Sequence, residues 1–265
     1  MKKNSSFLNL LKSYKKILLE ILGIFLILII YQIISFLVND PLFIPPISKI
    51  SSSLVELCSL SYTYVAFGKS LARTLIAILL SFIFAFLLGS LAGYFKSLRY
   101  LLNPFIGMMK LLPTPFVVFL IFLFFYRDLN FGSIIITFIV VFPILYESFI
   151  AGHDNIDESI KLSLRLEGYY KPKCFFKVIL VESLPYIALG VTNSLALGVK
   201  VSIMSEILIG SSEVEGIGSL IYDFRVNSDY SSMIALIFLV LVIFVLFDLI
   251  IKLSKKIIKF WKKSN

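Results

Sequence analysis

Five charged side chains fall within or at the edges of long apolar runs: Arg73, Lys110, Glu147, Lys200 and Glu206. A charge at mid-bilayer depth costs about 3 kcal/mol even on lenient insertion scales, so such residues face a water-filled path or a charged partner. The chemistry they offer is ion handling and pairing. Bond making has no comparable support. No G-x-x-x-x-G-K-[ST] phosphate loop is present, so ATP should not bind this chain. No His pair or Cys cluster offers a metal site, and no Ser has a His partner on its face. The single His153 is no site by itself, and Cys58 and Cys174 fall on opposite membrane sides in the topology below, which argues against a disulfide.

Two readings stay open for the lysines. Lys200 either pairs with Glu147 or another carboxylate, or lines a path for an anionic solute. It cannot share a helix face with Glu206, because six residues is neither the three- nor the four-residue spacing. Lys110 either joins the path or snorkels its ammonium to water. Pro113, with Pro115, Pro143 and Pro185, lies within or beside apolar runs. Proline breaks the helical ladder, which either kinks helices around a central path or only disturbs packing.

The elements that position these residues are membrane spans. Of the 265 residues 59% are hydrophobic, with 26 Phe and 13 Tyr, and the mean hydropathy is +0.97. A soluble domain, at roughly 45–50% apolar, could not hide that surface. The net charge of +9 flanks apolar runs and forms no soluble patch, which excludes a nucleic-acid partner. A 30 Å hydrocarbon core needs roughly 20 apolar residues. Six stretches qualify: Ile17–Val38, Leu71–Phe95, Pro104–Tyr126, Phe131–Ile150, Leu184–Ile207 and Ser232–Ile251. The first follows a basic start, exceeds a signal-peptide core in length and lacks a cleavage site, so it reads as a retained span. The expected architecture is all-α: a basic amino terminus (1–16), a six-span domain (17–252) and a basic tail (253–265). Most of the 25 basic residues fall on one side if both termini are cytoplasmic, which sets the orientation.

Between the fourth and fifth spans lies a basic, amphipathic insert, about residues 153–182, reading AGHDNIDESIKLSLRLEGYYKPKCFFKVIL from Ala151. Ile160 and Leu164 are four apart, as one helical face requires. Gly168 ends that helix, and Pro172 opens a second. Such a helix either lies in the headgroups or docks on a soluble partner. On the outer side, residues Ile47–Phe67 follow the turn signal IPP and should form an interfacial helix. Gly210, Gly216 and Gly218 mark a structured or re-entrant outer loop, where glycine permits close backbone approach.

The insert resembles the cytoplasmic "EAA" loop of permease subunits of ATP-binding-cassette importers. Gly168, Phe175 and Leu184-Pro185 fall at matching spacings, and Arg165 matches a common basic residue. Leu162, Ser163 and Leu164 hold the Glu-Ala-Ala positions, a departure from the pattern, and Glu167 is the nearest acid. Further segments resemble the nitrate, sulfonate, taurine and bicarbonate type of permease, in order from about Phe43 to Ile251. They are FIPPISKISSSLVEL, SLARTLIAILLSFIFAFLLGSLAGYF, LLNPFIGMMKLLPTPFVVFLIFLFF, VFPILYESFIAG and SEILIGSSEVEGIGSLI.

The resemblance implies a type I importer fold in the bacterial plasma membrane. A second permease subunit, expected to be an identical copy, completes the path. Two ATPase subunits below bind the ATP and Mg, so this chain needs no cofactor, and a solute-binding protein docks above. Ile160, Leu162, Ser163, Leu164, Arg165, Glu167, Gly168 and Phe175 are then the expected coupling residues. Lys110, Pro113, Glu147, Lys200 and Glu206 are the expected path residues. The solute stays open among anions and cofactor precursors. Two rivals are a lipid-modifying membrane enzyme and a secondary transporter. The first needs clustered Asp, His or Ser at one membrane face, the second inverted repeats; neither feature is found.

Overall fold

A computed structural model describes residues 2–167, 178–210 and 214–246. Every regular element among them is a helix: α1 (Lys2–Val38), α2 (Ile47–Ser59), α3 (Ser61–Tyr94), α4 (Lys96–Leu111), α5 (Thr114–Phe124), α6 (Leu129–Asp154), α7 (Glu158–Glu167), α8 (Leu180–Ile209), α9 (Ile217–Val226) and α10 (Tyr230–Leu246). Two compact units are distinguished, one of Met1–Ser59 with Phe224–Leu236, the other built on Leu60–Asp223.

In the first unit, α1 ends where Asn39 takes a left-handed φ of 48°. The returning chain is tied to it by side chains. Tyr31 Oη donates to Pro45 O (2.8 Å), Ser35 Oγ to Ile44 O (2.9 Å), and Ile47 N to Gln32 Oε1 (3.1 Å). The prolines of IPP supply no N–H, so side chains from α1 satisfy the carbonyls of this turn. The interfacial helix is shorter than expected. It stops at Ser59, and residues 61–67 open α3 instead. Nothing in SYTYVAFGKS breaks a helix, and Gly68 is carried within it at modest cost. At 34 residues, α3 is about 51 Å long, so it overruns a bilayer core.

The second unit is organised by α3, α6 and α8. Small residues let these helices approach closely, as membrane helices do without a hydrophobic drive between them. Gly89 of α3 faces Phe149 and the Tyr146 carbonyl, and Gly93 faces His153. Gly190 of α8 packs on Ser148, Gly152 of α6 on Ser183, and Gly198 on Ile78. Aromatic rings close the core: Phe149 meets Phe82 and Phe86 edge-on at 5.6 and 5.8 Å. These pairings make α3 parallel to α6 and α8 antiparallel to both. The α4–α5 connection therefore carries the chain back from one end of the bundle to the other.

That return, expected as one span from Pro104 to Tyr126, is made of two helices. The chain bends by 102° between α4 and α5. Pro113 is the cause: it caps α5, and Leu112 before it is pushed to an extended ψ of 124°. By length and apolarity α3, α6 and α8 each suffice to cross a membrane, and the bent α4–α5 pair suffices when its two helices are taken together as one span. Leu22–Val38 and Tyr230–Leu246 are shorter apolar helices. The sixth expected span runs on to Ile251, and its residues past 246 lie outside the described ones.

Candidate functional site

Three constellations hold the polar residues of the second unit. The first is at the end of the bundle where α3 and α6 begin. Glu206, near the end of α8, has no exposed side-chain surface, and the Arg73 side chain is 8% exposed. Arg73 donates from one terminal nitrogen to Glu206 Oε1 (2.7 Å) and to Glu215 O (3.1 Å), and from the other to Asn130 Oδ1 (2.7 Å). Ser70 Oγ donates to Glu206 Oε2 (2.8 Å), and Gly218 N adds a bond of 2.9 Å to the same oxygen. Ser70 Oγ in turn accepts from Ile217 N (2.9 Å). A buried carboxylate is tolerable only when paired and fully hydrogen-bonded. Here it also sits at the positive end of α9, where backbone N–H groups point outward.

The expected role of Glu206 as a path residue needs correction. Its carboxylate is enclosed within the subunit and ties α3, α8 and α9 together. The outer glycines serve the same lock. Gly210 caps α8 with a left-handed φ of 59° beneath the Tyr222 ring, and Gly216 lies against the Arg73 and Glu206 head groups. At Gly218 a Cβ would meet Glu206 Cβ at 2.5 Å and Ile207 N at 3.0 Å. Gly218→Ala should therefore destabilise by about 1–3 kcal/mol, the usual range for overpacking. Gly68→Ala, with nothing within 4 Å, should not. Thermal midpoints of the detergent-extracted variants test this, and equal midpoints would rule out the close approach.

The second constellation lies at the opposite end, where α6 meets α7. Lys110 of α4 pairs with Glu147 of α6 at 2.6 Å. Arg99 and Asp154 form a two-pronged pair at 3.0 and 2.7 Å. Glu147 is thus taken by Lys110, and the expected alternative pairing with Lys200 does not form. Lys200 is exposed on α8 and meets no carboxylate among the described residues. Leu189, Asn193 and Ala196 share its exposed stripe, at spacings of four and three residues. Pro113 stands at the α4–α5 bend.

The third constellation is the insert. Asp157 caps α7: its Oδ1 accepts from Ser159 N (3.0 Å) and Ser159 Oγ (2.9 Å). These bonds favour the ionised form and hold the Asp157 carboxyl below its ordinary range. Ile156, Leu164 and Ile179 form a buried cluster with Ile160 and Val178 packed on it. Leu164 and Ile160 therefore anchor the insert from within the subunit. Leu162 (60% exposed) and Leu166 (84% exposed) point away from that cluster, with Ser163 exposed beside them. Leu166 was not among the expected coupling residues; its signal was an apolar side chain off the Ile160–Leu164 face. Arg165 and Glu167 are placed by their backbone in α7, and Gly168 and Phe175 lie outside the described residues.

Known proteins resemble this chain in sequence and in fold. Residues 85–259 match the family described as "Binding-protein-dependent transport system inner membrane component". The chain is 28% identical over 195 residues to the "Putative aliphatic sulfonates transport permease protein SsuC" of Bacillus subtilis (strain 168), covering 74% of this chain and 69% of that protein. Two inward-facing crystal forms of the MetNI methionine ABC transporter are similar in fold. One has a TM-score of 0.55 over 68% of this chain and 90% of its own. The other has a TM-score of 0.53 over 73% and 98%; both are 17% identical in sequence. An all-α bundle with a basic insert, matched by the family over most of its length, places this chain among the inner-membrane permease components of binding-protein-dependent ATP-binding-cassette importers.

Proposed function

We propose that the subunit forms, with a second copy of itself, the membrane path for a small organic anion. An extracytoplasmic binding protein delivers the solute. Two ATPase subunits, which hold the ATP and Mg, grip the α7 insert from the cytoplasm, and both termini lie on that side. The observation that carries the solute reading is Lys200, exposed on a spanning helix with no carboxylate partner among the described residues. An ammonium in that position needs water or an anion. The relative named for aliphatic sulfonates transport supports an anion of that class. The parallel α3 and α6, with α8 reversed, support the alternating crossing directions that this topology requires.

Coupling follows from two global states biased by two distinct sites. Nucleotide binding closes the ATPase pair, the insert moves as a rigid body, and the spans rock between inward- and outward-open forms. Lys200→Met tests the solute reading. A charge-assisted hydrogen bond is worth about 1.5–3 kcal/mol, so uptake at low solute concentration should fall at least about tenfold at unchanged membrane level. Lys200→Arg should keep part of the activity. Full uptake by Lys200→Met would remove the case for an anion at this position.

A further inference from the structure

A helix held at both ends by non-helical joints can swing as a rigid arm, and α4 is built in that way. At one end Phe95 is extended, with φ −104° and ψ 103°; at the other the Leu112-Pro113 break turns the chain by 102° into α5. Joints at element ends absorb the backbone change in hinge motions. The arm is lightly seated. Of its sixteen residues Ile106 alone is buried, with Leu102 and Met109 packed partly on the core. A cavity of about 660 Å³ opens between it and α6, and two ion pairs bridge the gap. They end in different places. Glu147, the partner of Lys110, stands within α6. Asp154, the partner of Arg99, is the last residue of α6, and Asn155 alone separates it from Ile156. Ile156 packs with Leu164 of α7 and with Ile179, the N-cap of α8, in one buried cluster. A displacement of α7 therefore displaces Asp154.

We propose that Arg99 is the positioning residue that makes α4 follow the insert. Through Asp154, movement of α7 swings α4 about its two joints and closes the cavity, as an outward-open state requires of the insert side. The inference rests on the permease reading above and adds which wall the insert drives and by which side chain. Arg99 is suited to the task. Its two terminal nitrogens grip the two Asp154 oxygens at 3.0 and 2.7 Å, and such a fork fixes direction as well as distance. His153 Nδ1, 3.8 Å from the same carboxylate, stands on α6 itself and not across the gap. The pair is partly exposed, the side chains at 31% and 43%. Pairs in contact with water add little to stability, so its loss should spare the fold and act on coupling.

The test uses the permease–ATPase complex in nanodiscs, with Cys58 and Cys174 replaced by serine and Asn103→Cys placed in the cavity wall. The rate at which a charged thiol reagent labels that cysteine is measured without nucleotide and with ATP, Mg and vanadate. In this background trapped nucleotide should slow labelling at least about fivefold, the low end of ordinary allosteric coupling. Adding Arg99→Gln should erase the response while nucleotide is still trapped and the thermal midpoint holds. Asp154→Asn should do the same from the other side of the pair. The swap Arg99→Asp with Asp154→Arg should restore the response, which a role in stability alone would not require. A response that survives Arg99→Gln, or that is missing before any charge is changed, would overturn the proposal. Loss of folded subunit in both single variants would overturn it too, by making the pair structural. Failure of the complex to trap nucleotide would sink the permease reading, and the role of Arg99 with it.

Discussion

Replacing Arg73 with methionine is expected to cost about 3–5 kcal/mol of stability, because it leaves a buried carboxylate without its cation. Glu206 has no exposed side-chain surface, so water cannot substitute for the lost guanidinium. Its other partners, Ser70 Oγ and Gly218 N, donate hydrogen bonds but carry no full charge. The loss should appear as low membrane levels and a lowered thermal midpoint in detergent. Adding Glu206→Gln to the same chain should recover most of it, since glutamine removes the stranded charge and can still accept from Gly218 N. Recovery in the double variant distinguishes an ion-pair lock from general damage to α3. If Arg73→Met extracts and melts like the parent, the lock contributes nothing to stability.

The insert supports the second large effect. Leu166→Asp should abolish ATP-driven uptake in a reconstituted transporter while leaving the amount of folded subunit unchanged. Leu162→Asp should do the same. An apolar side chain that serves as an interface hot spot is worth about 2 kcal/mol or more when truncated, roughly 30-fold in affinity, and a buried unpaired charge adds to that. Co-purification of the ATPase subunit measures the loss directly. Leu164→Asp should fail differently. Leu164 packs with Ile156 and Ile179 inside the subunit, so its replacement should lower the folded amount before coupling can be assayed. Uptake that persists in Leu166→Asp would move the docking surface away from α7.

What the sequence determined by itself was set by local and compositional physics. Apolar runs long enough for a bilayer and basic residues biased to one side led to an all-α membrane protein. Motif order led to the permease resemblance, which the family match over residues 85–259 established. Pro113, Gly210, Gly216 and Gly218 were legible as breaks and close approaches because those residue types act through their own backbone. At Pro113 the break was expected but its 102° angle was not, because proline announces a break and not an angle.

Tertiary structure decided which charges meet. Arg73 and Glu206 are 133 positions apart, and no periodicity connects them. The one available clue was that both fall at the same end of spans running in opposite directions. The same holds for Lys110 with Glu147, 37 positions apart, where sequence reasoning offered Lys200 as an alternative partner for Glu147. It holds again for the insert: a helical stripe identifies a face, but whether Leu164 or Leu166 turns inward depends on where Ile179 arrives from the start of the next span. Pairing and burial are properties of the packed bundle, because Coulomb attraction and desolvation depend on distances that only the assembled helices create.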